Sequence, residues 1–156
     1  MEFYSSSSFN TQQSLGYVLR RLHQASAADL EPIFAEECMT GTQWSALMSI
    51  SSGHSTTCSE LARDLSYNGG AMTRLVDTME ECGWIVRRRD TSDRRVVKLA
   101  LTATGHELAA KCKEKVIARW NQRLEGWDRE KVTTLVSQLQ ALLEIVETVG
   151  GKGTRP

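Results

Sequence analysis

No stretch of this sequence approaches the roughly 20 consecutive apolar residues that crossing a bilayer requires. The opening MEFYSSSSFN also lacks a basic segment followed by an apolar block, so neither a membrane span nor a secretory leader is expected, and the chain is expected in the cytoplasm. An excess of either charge is missing too, because 19 Lys and Arg balance 19 Asp and Glu. The four cysteines, Cys38, Cys58, Cys82 and Cys112, are far apart with no C-x-x-C pair, which excludes a zinc knuckle and a dithiol redox motif and leaves reduced, mostly buried thiols. His23, His54 and His106 lie in separate segments, and no H-E-x-x-H, G-x-S-x-G, P-loop or dinucleotide fingerprint occurs. No enzyme, metal site or cofactor is therefore expected. What is present suits one soluble domain: 156 residues, 40% of them hydrophobic and 24% charged.

Helical periodicity dominates the chain. Ser5 to Ser8 and the tail GGKGTRP from Gly150 read as disordered ends. Leu15, Leu19, Leu22, Leu30, Ile33 and Phe34 form a helical stripe that Pro32 should bend or break. In MTGTQWSALMSIS, Thr40 or Thr42 caps a short helix carrying Trp44, Leu47, Met48 and Ile50 inward. Thr57 and Glu60 then make a capping box, which predicts a helix from Cys58 to about Leu65. After a three-residue turn, Asn68 caps a second helix with Ala71, Met72, Leu75, Val76 and Met79 at helical spacing, stopped at Gly83. Two short helices across such a turn make a helix-turn-helix.

The period then changes. WIVRRRD and RVVKLALT alternate as strands on either side of the turn-forming DTSD, which predicts a hairpin with an arginine-loaded tip. From Arg87 to Lys98 it carries Arg87, Arg88, Arg89, Arg94, Arg95 and Lys98. A solvated strand face is the ordinary meaning of such a run. Beside a helix-turn-helix it becomes the wing of a winged helix, with DNA phosphates and a groove floor as its target. A winged helix that docks protein would have no reason to concentrate arginine there. Two helices complete the chain, one starting at Thr102 or Thr104 and carrying Leu108, Cys112, Val116, Trp120 and Leu124, the other capped by Asp128. The last carries Val132, Leu135, Val136, Leu139, Leu142, Leu143, Val146 and Val149, more apolar surface than a small domain covers, which points to a homodimer.

The segments TQWSAL, CSELARDL and AMTRLVDTMEECGWIVRRRDTSDRRVVKLALTATG, in this order and followed by two long helices, resemble the MarR family of winged-helix transcription regulators; the pattern D-x-x-D-R-R, a strand and L-T-x-x-G is specific. The fold class is then mainly α with a small β-hairpin wing (α+β), a winged helix-turn-helix with N- and C-terminal dimerisation helices. The boundaries expected are an arm at 1–10, one domain at 11–149 and a tail at 150–156, with a DNA-binding lobe at about 42–101 between dimerisation helices at about 11–38 and 102–149. The resemblance implies a homodimer that binds pseudo-palindromic promoter DNA, most often as a repressor, and is released by a small aromatic or phenolic effector.

Site residues follow where positions match. A second helix lying in the major groove would present Gly69, Gly70, Ala71, Thr73 and Arg74, the last to a guanine edge or a phosphate. Asp93 and Arg95 match the family's paired wing residues, the carboxylate orienting a guanidinium that enters the minor groove. Arg88 joins them on the wing and Arg94 grips phosphate, while Ser59, Ser66 and Tyr67 are phosphate donors or local turn formers. The effector crevice, lined in such folds by the first, second and fifth helices, offers Arg20, His23, Trp44 and Met48.

Overall fold

The computed structural model describes residues 3–150, with side chains through residue 148. After a 3-10 turn at Thr11–Gln13, the chain forms α1 (Leu15–Ala35), α2 (Gly41–Ser51), α3 (Cys58–Asp64), α4 (Gly69–Glu81), the antiparallel strands β1 (Ile85–Arg89) and β2 (Val97–Leu101), α5 (Ala103–Arg123) and α6 (Arg129–Gly150). Among the described residues no helix is long and apolar enough to cross a membrane. The chain divides into two compact units, Met1–Arg119 and Trp120–Pro156, with the boundary inside α5.

Caps set most helix starts. The side chain of Thr40, not Thr42, accepts the Gln43 amide at 3.2 Å while Gln43 returns a bond to the Thr40 amide at 2.8 Å. Thr57 and Glu60 close the same reciprocal box, and Asn68 Oδ1 accepts from Gly70 and Ala71. Helix α1 does not break at Pro32; the ring sits in its last turn, where only one amide donor is lost, and the helix ends at Ala35. Ser5–Ser8, expected as a disordered arm, folds into a turn in which Ser8 and Phe9 amides donate to the Ser5 carbonyl, and the Tyr4 hydroxyl accepts the Leu15 amide. Residues 1–2, the tail from 151 and the Val149 side chain lie outside the described residues.

The core belongs to the first unit. Leu47 and Ile50 of α2, Leu61 of α3, Met72, Val76 and Met79 of α4 and Ile85 of β1 are buried together, with Trp44 and Met48 packed partly buried against them. Only the C-terminal end of the α1 stripe reaches this core, with Ile33 and Phe34 buried and Leu30 packed partly buried against it; Leu15, Val18 and Leu22 remain exposed. Ion pairs join the end of α1 to α5: Lys115 binds Glu36 at 2.6 Å and Glu37 at 2.9 Å, Lys111 binds Glu37 at 2.8 Å, and Arg119 binds Asp29 at 3.0 Å. In the second unit, no described residue of α6 is buried.

Asp64 ties α2 to α3. Its carboxylate accepts the Ser49 hydroxyl at 2.5 Å and the Ser55 hydroxyl at 3.3 Å, both serines being buried, and His54 Nε2 lies 3.3 Å away. Asp64→Ala strands both hydroxyls at once, so we expect it to lower stability by about 1–3 kcal/mol. Urea unfolding measures this; an unshifted midpoint would mean that the two serines find other partners.

Gly105 explains the L-T-x-x-G pattern. A Cβ on it would stand 1.9 Å from the Trp84 carbonyl oxygen, so only glycine lets the first turn of α5 cross the start of β1. Thr102 fastens the crossing: its amide donates to the Trp84 carbonyl at 3.0 Å, and its hydroxyl donates to the Gly83 carbonyl at 2.6 Å while accepting the Gly105 amide at 3.0 Å. Of the two candidate caps for α5, Thr102 is therefore the one used.

Candidate nucleic-acid interface

Three elements converge on one side of the first unit. Between α3 and α4, Ser66 takes the left-handed conformation (φ 52°), and the Tyr67 amide donates back to the Ala62 carbonyl at 2.7 Å. This tight turn leaves the start of α4 bare. Gly69 and Gly70 are exposed, and a Cβ on Gly69 would meet nothing in the described chain, so packing does not require glycine there. The open space suits a backbone that another molecule approaches closely. Thr73 is exposed, its hydroxyl bonded to the Gly69 carbonyl at 2.9 Å with the Cys58 sulfur 3.7 Å away. Arg74 is exposed, and among the described residues it has no ion-pair partner; Asp77, the partner its helical spacing would offer, is taken by Arg87.

The hairpin tip is held by its first aspartate. Asp90 Oδ1 accepts the Ser92 amide at 2.7 Å, the Ser92 hydroxyl and the Asp93 amide at 3.1 Å, while Oδ2 pairs with Lys98. Lys98 above all, then the Ser92 hydroxyl and amide, hold the Asp90 carboxyl far below its ordinary range. Asp93 in turn grips Arg95 in a fork, Oδ1 to Nε and Oδ2 to Nη2, each at 3.1 Å, which lowers the Asp93 pKa. The pairing expected from the sequence is thus present, and Arg95 remains 91% exposed.

Two of the six cations are spent internally. Lys98 holds Asp90, and Arg87 bonds Asp77 at 2.6 Å and Glu80. Burial works against the Arg87 charge, yet the bonds from Asp77 and Glu80 outweigh it and raise the pKa. Arg88, Arg89, Arg94 and Arg95 are left to face outward. Sequence reasoning missed the internal roles of Arg87 and Asp90. The strand register held the signal, because Arg87 alternates onto the same face as the buried Ile85 and pairs opposite Leu99.

Thr57, Ser59, Arg63, Gly69, Thr73 and Arg95 line one surface groove of about 820 Å³, which brings the starts of α3 and α4 to the foot of the wing. Arg63 was not singled out from the sequence; its place in the last turn of α3 is its only local mark. Arg74 and Ala71 share a second depression with Tyr67, and Arg94 sits in a third at the wing tip with Arg89, Asp90 and Thr91. Arg88 and Ser66 line none of these three.

Behind the turn lies a cavity of about 500 Å³ whose walls include His23, Leu30 and Phe34 of α1, Trp44 of α2, and Leu65 and Tyr67. The Trp44 ring stacks on Phe34 at 5.2 Å between centroids, and its buried Nε1 has no hydrogen-bond partner among the described residues. Of the four effector-site residues expected, His23 and Trp44 line this cavity and Arg20 and Met48 do not. Arg20 lies over the Tyr17 ring at 5.2 Å, and Met48 packs against the core. The third wall comes from the α3–α4 turn, where α5 was expected.

Comparison with known proteins agrees with this geometry. The model of the MarR family matches residues 39–97, from the approach to α2 to the start of β2. The multiple antibiotic resistance protein MarR of Escherichia coli K12 is 29% identical over 136 residues, 86% of this chain and 94% of that protein. The transcriptional repressor MprA of the same organism is 41% identical over 68 residues, 42% of this chain and 39% of that protein. A crystal structure of an E. coli MarR mutant complexed with operator DNA superposes with a TM-score of 0.73 at 27% identity, covering 88% of this chain and 99% of that one. The helix-turn-helix and wing fall within the residues that the MarR family model matches, and over most of its length the chain is similar to MarR-family winged helix-turn-helix transcription regulators.

Proposed function

We propose that this protein is a repressor that binds a pseudo-palindromic operator as a homodimer and is released by a small aromatic or phenolic effector. The observation that carries the DNA reading is the groove at the foot of the wing. There a bare α4 start stands beside an Arg95 already oriented by Asp93, and in the separate depression lined by Ala71 and Tyr67 the exposed Arg74 can reach bases. A protein that reads an operator works beside the chromosome, in the cytoplasm. The homodimer is favoured by two sets of uncovered apolar side chains: Leu15, Val18 and Leu22 on α1, and Leu143, Ile145 and Val146 on α6. Retention of genomic duplex fragments tests the reading. Specific fragments should be kept, with affinity falling steeply as salt rises. Sedimentation at micromolar concentration should give a dimer; a pure monomer would sink the two-fold operator.

The effector reading rests on the cavity beside Trp44, whose wall offers aromatic rings, His23 and the unpartnered Trp44 Nε1. Since Tyr67 lines both this cavity and the depression holding Arg74, an occupant would touch the helix-turn-helix itself. Titration with salicylate should change tryptophan emission in the wild type but much less in Trp44→Phe, and should weaken the DNA complex. Saturable binding that leaves DNA affinity unchanged would refute the coupling.

A further inference from the structure

We propose that Arg87 is a positioning residue which fixes the spacing between α4 and the wing, so that Arg74 and Arg95 engage one duplex together. The inference rests on the DNA reading above. From a single strand position, the backbone N–H of Arg87 donates to Glu80 Oε1 at 3.0 Å while its guanidinium reaches Glu80 Oε2 and Asp77 Oδ1. Asp77 and Glu80 are three residues apart on α4, one turn from each other on one face, and Asp77 follows Arg74 by the same interval. The clamp therefore grips the turn of the helix next to the one that carries Arg74.

On its other side, Arg87 is three residues from Asp90, whose carboxylate sets the Asp93 amide, and Asp93 orients Arg95. A path thus runs from α4 through the Arg87 clamp, the strand backbone from Arg87 to Asp90 and the Asp90 and Asp93 bonds to the arginine at the foot of the groove. The Arg87 side chain is only 29% exposed and has two carboxylates as ligands, so it is not held out for phosphate as Arg88, Arg89 and Arg94 are. Two grooves of a duplex are rigidly spaced, and a reader gains from both contacts only when its own spacing is fixed in advance.

The test uses variants whose electrostatic and positional effects have opposite signs. Asp77→Asn with Glu80→Gln keeps every cation and deletes two negative charges beside the interface, which by charge alone should tighten binding to any duplex. Positioning requires the reverse on the genomic fragment that the wild type retains: roughly tenfold or greater loss of affinity. Affinity for an unrelated duplex should be equal or higher, and the salt slope should not change. Arg87→Gln should show the same loss on the retained fragment, also with no change in slope, and Arg87→Lys should recover part of it. If Arg87→Gln does not fold, the double variant, which keeps the arginine, decides the question once circular dichroism shows native helix content. Tighter binding of the retained fragment by the double variant overturns the proposal, as does a slope lowered by about one unit in Arg87→Gln, the signature of a lost phosphate contact. Wild type that retains no duplex at all overturns the DNA reading and this proposal with it. Wild type that binds while every variant matches it overturns the positioning role alone.

Discussion

Gly105→Ala is expected to destabilise the protein by at least about 3 kcal/mol, at the upper end for a single added methyl group. The new Cβ would lie 1.9 Å from the Trp84 carbonyl oxygen and 2.9 Å from the carbonyl carbon, both backbone atoms that no rotamer change can move. Relief requires α5 to lift from β1, and that motion breaks the Thr102 bonds to Gly83 and Trp84 that lie in the same crossing. Buried Ala109, Cys112 and Val116 further along α5 would lift with it. Gly16→Ala is the control: nothing stands within 4 Å of that position, and alanine is the better helix former by roughly 0.5–1 kcal/mol. Thermal and urea unfolding of the two variants should therefore move in opposite directions. A Gly105→Ala midpoint within a few degrees of wild type would mean that the crossing is looser than the structure has it.

The second large effect concerns recognition. On the proposed DNA reading, with Arg74 facing a guanine edge, Arg74→Ala should cost about 1–3 kcal/mol on sequences carrying that guanine and leave non-specific binding nearly intact. Arg95→Ala should weaken binding across most operator variants and flatten the salt slope by about one unit, because a cation in the minor groove acts through groove shape and potential. Asp93→Ala should be a milder Arg95→Ala, freeing the guanidinium from its fork without deleting it. Arg74 and Arg95 are exposed and Asp93 is half-buried in the wing tip, away from every helix, so helix content and oligomeric state should be unchanged. Fluorescence anisotropy across a salt series measures both quantities. Coincident curves for wild type and Arg95→Ala at every salt concentration would make the wing's charge a solvated face.

How much of this could be read from the sequence depended on the range of the interactions. The box at Thr57 and Glu60, the Asn68 cap and the stop near Gly83 are set by residues within four positions of one another, and each stands where expected. The hairpin was legible for the same reason, since alternation and a polar turn are local signals. The choice between Thr102 and Thr104 was not, because Thr102 is selected by carbonyls about 18 residues earlier in the chain. Arg87 looked like one of six equivalent cations until the fold brought Asp77 and Glu80 beneath it. The cavity beside Trp44 was half legible. Helical phase puts His23, Ala27, Leu30 and Phe34 on one stripe, which Arg20 precedes by a turn, and nothing local could show that the third wall would be the α3–α4 turn.

The wing tip closes on itself: the Asp90 amide donates to the Val96 carbonyl at 2.9 Å, the Val96 amide donates to the Asp93 carbonyl at 2.9 Å, and the Asp90 carboxylate accepts from Ser92 and Asp93 within the turn. Thr91 and Arg94 contribute no side chain to that closure and are exposed. The tip is therefore an exchangeable cassette, a frame of four bonded residues, Asp90, Ser92, Asp93 and Val96, around two whose substitution should carry little folding cost. Changing those two positions should alter the chemistry that the wing presents, with the hairpin that presents it unaltered.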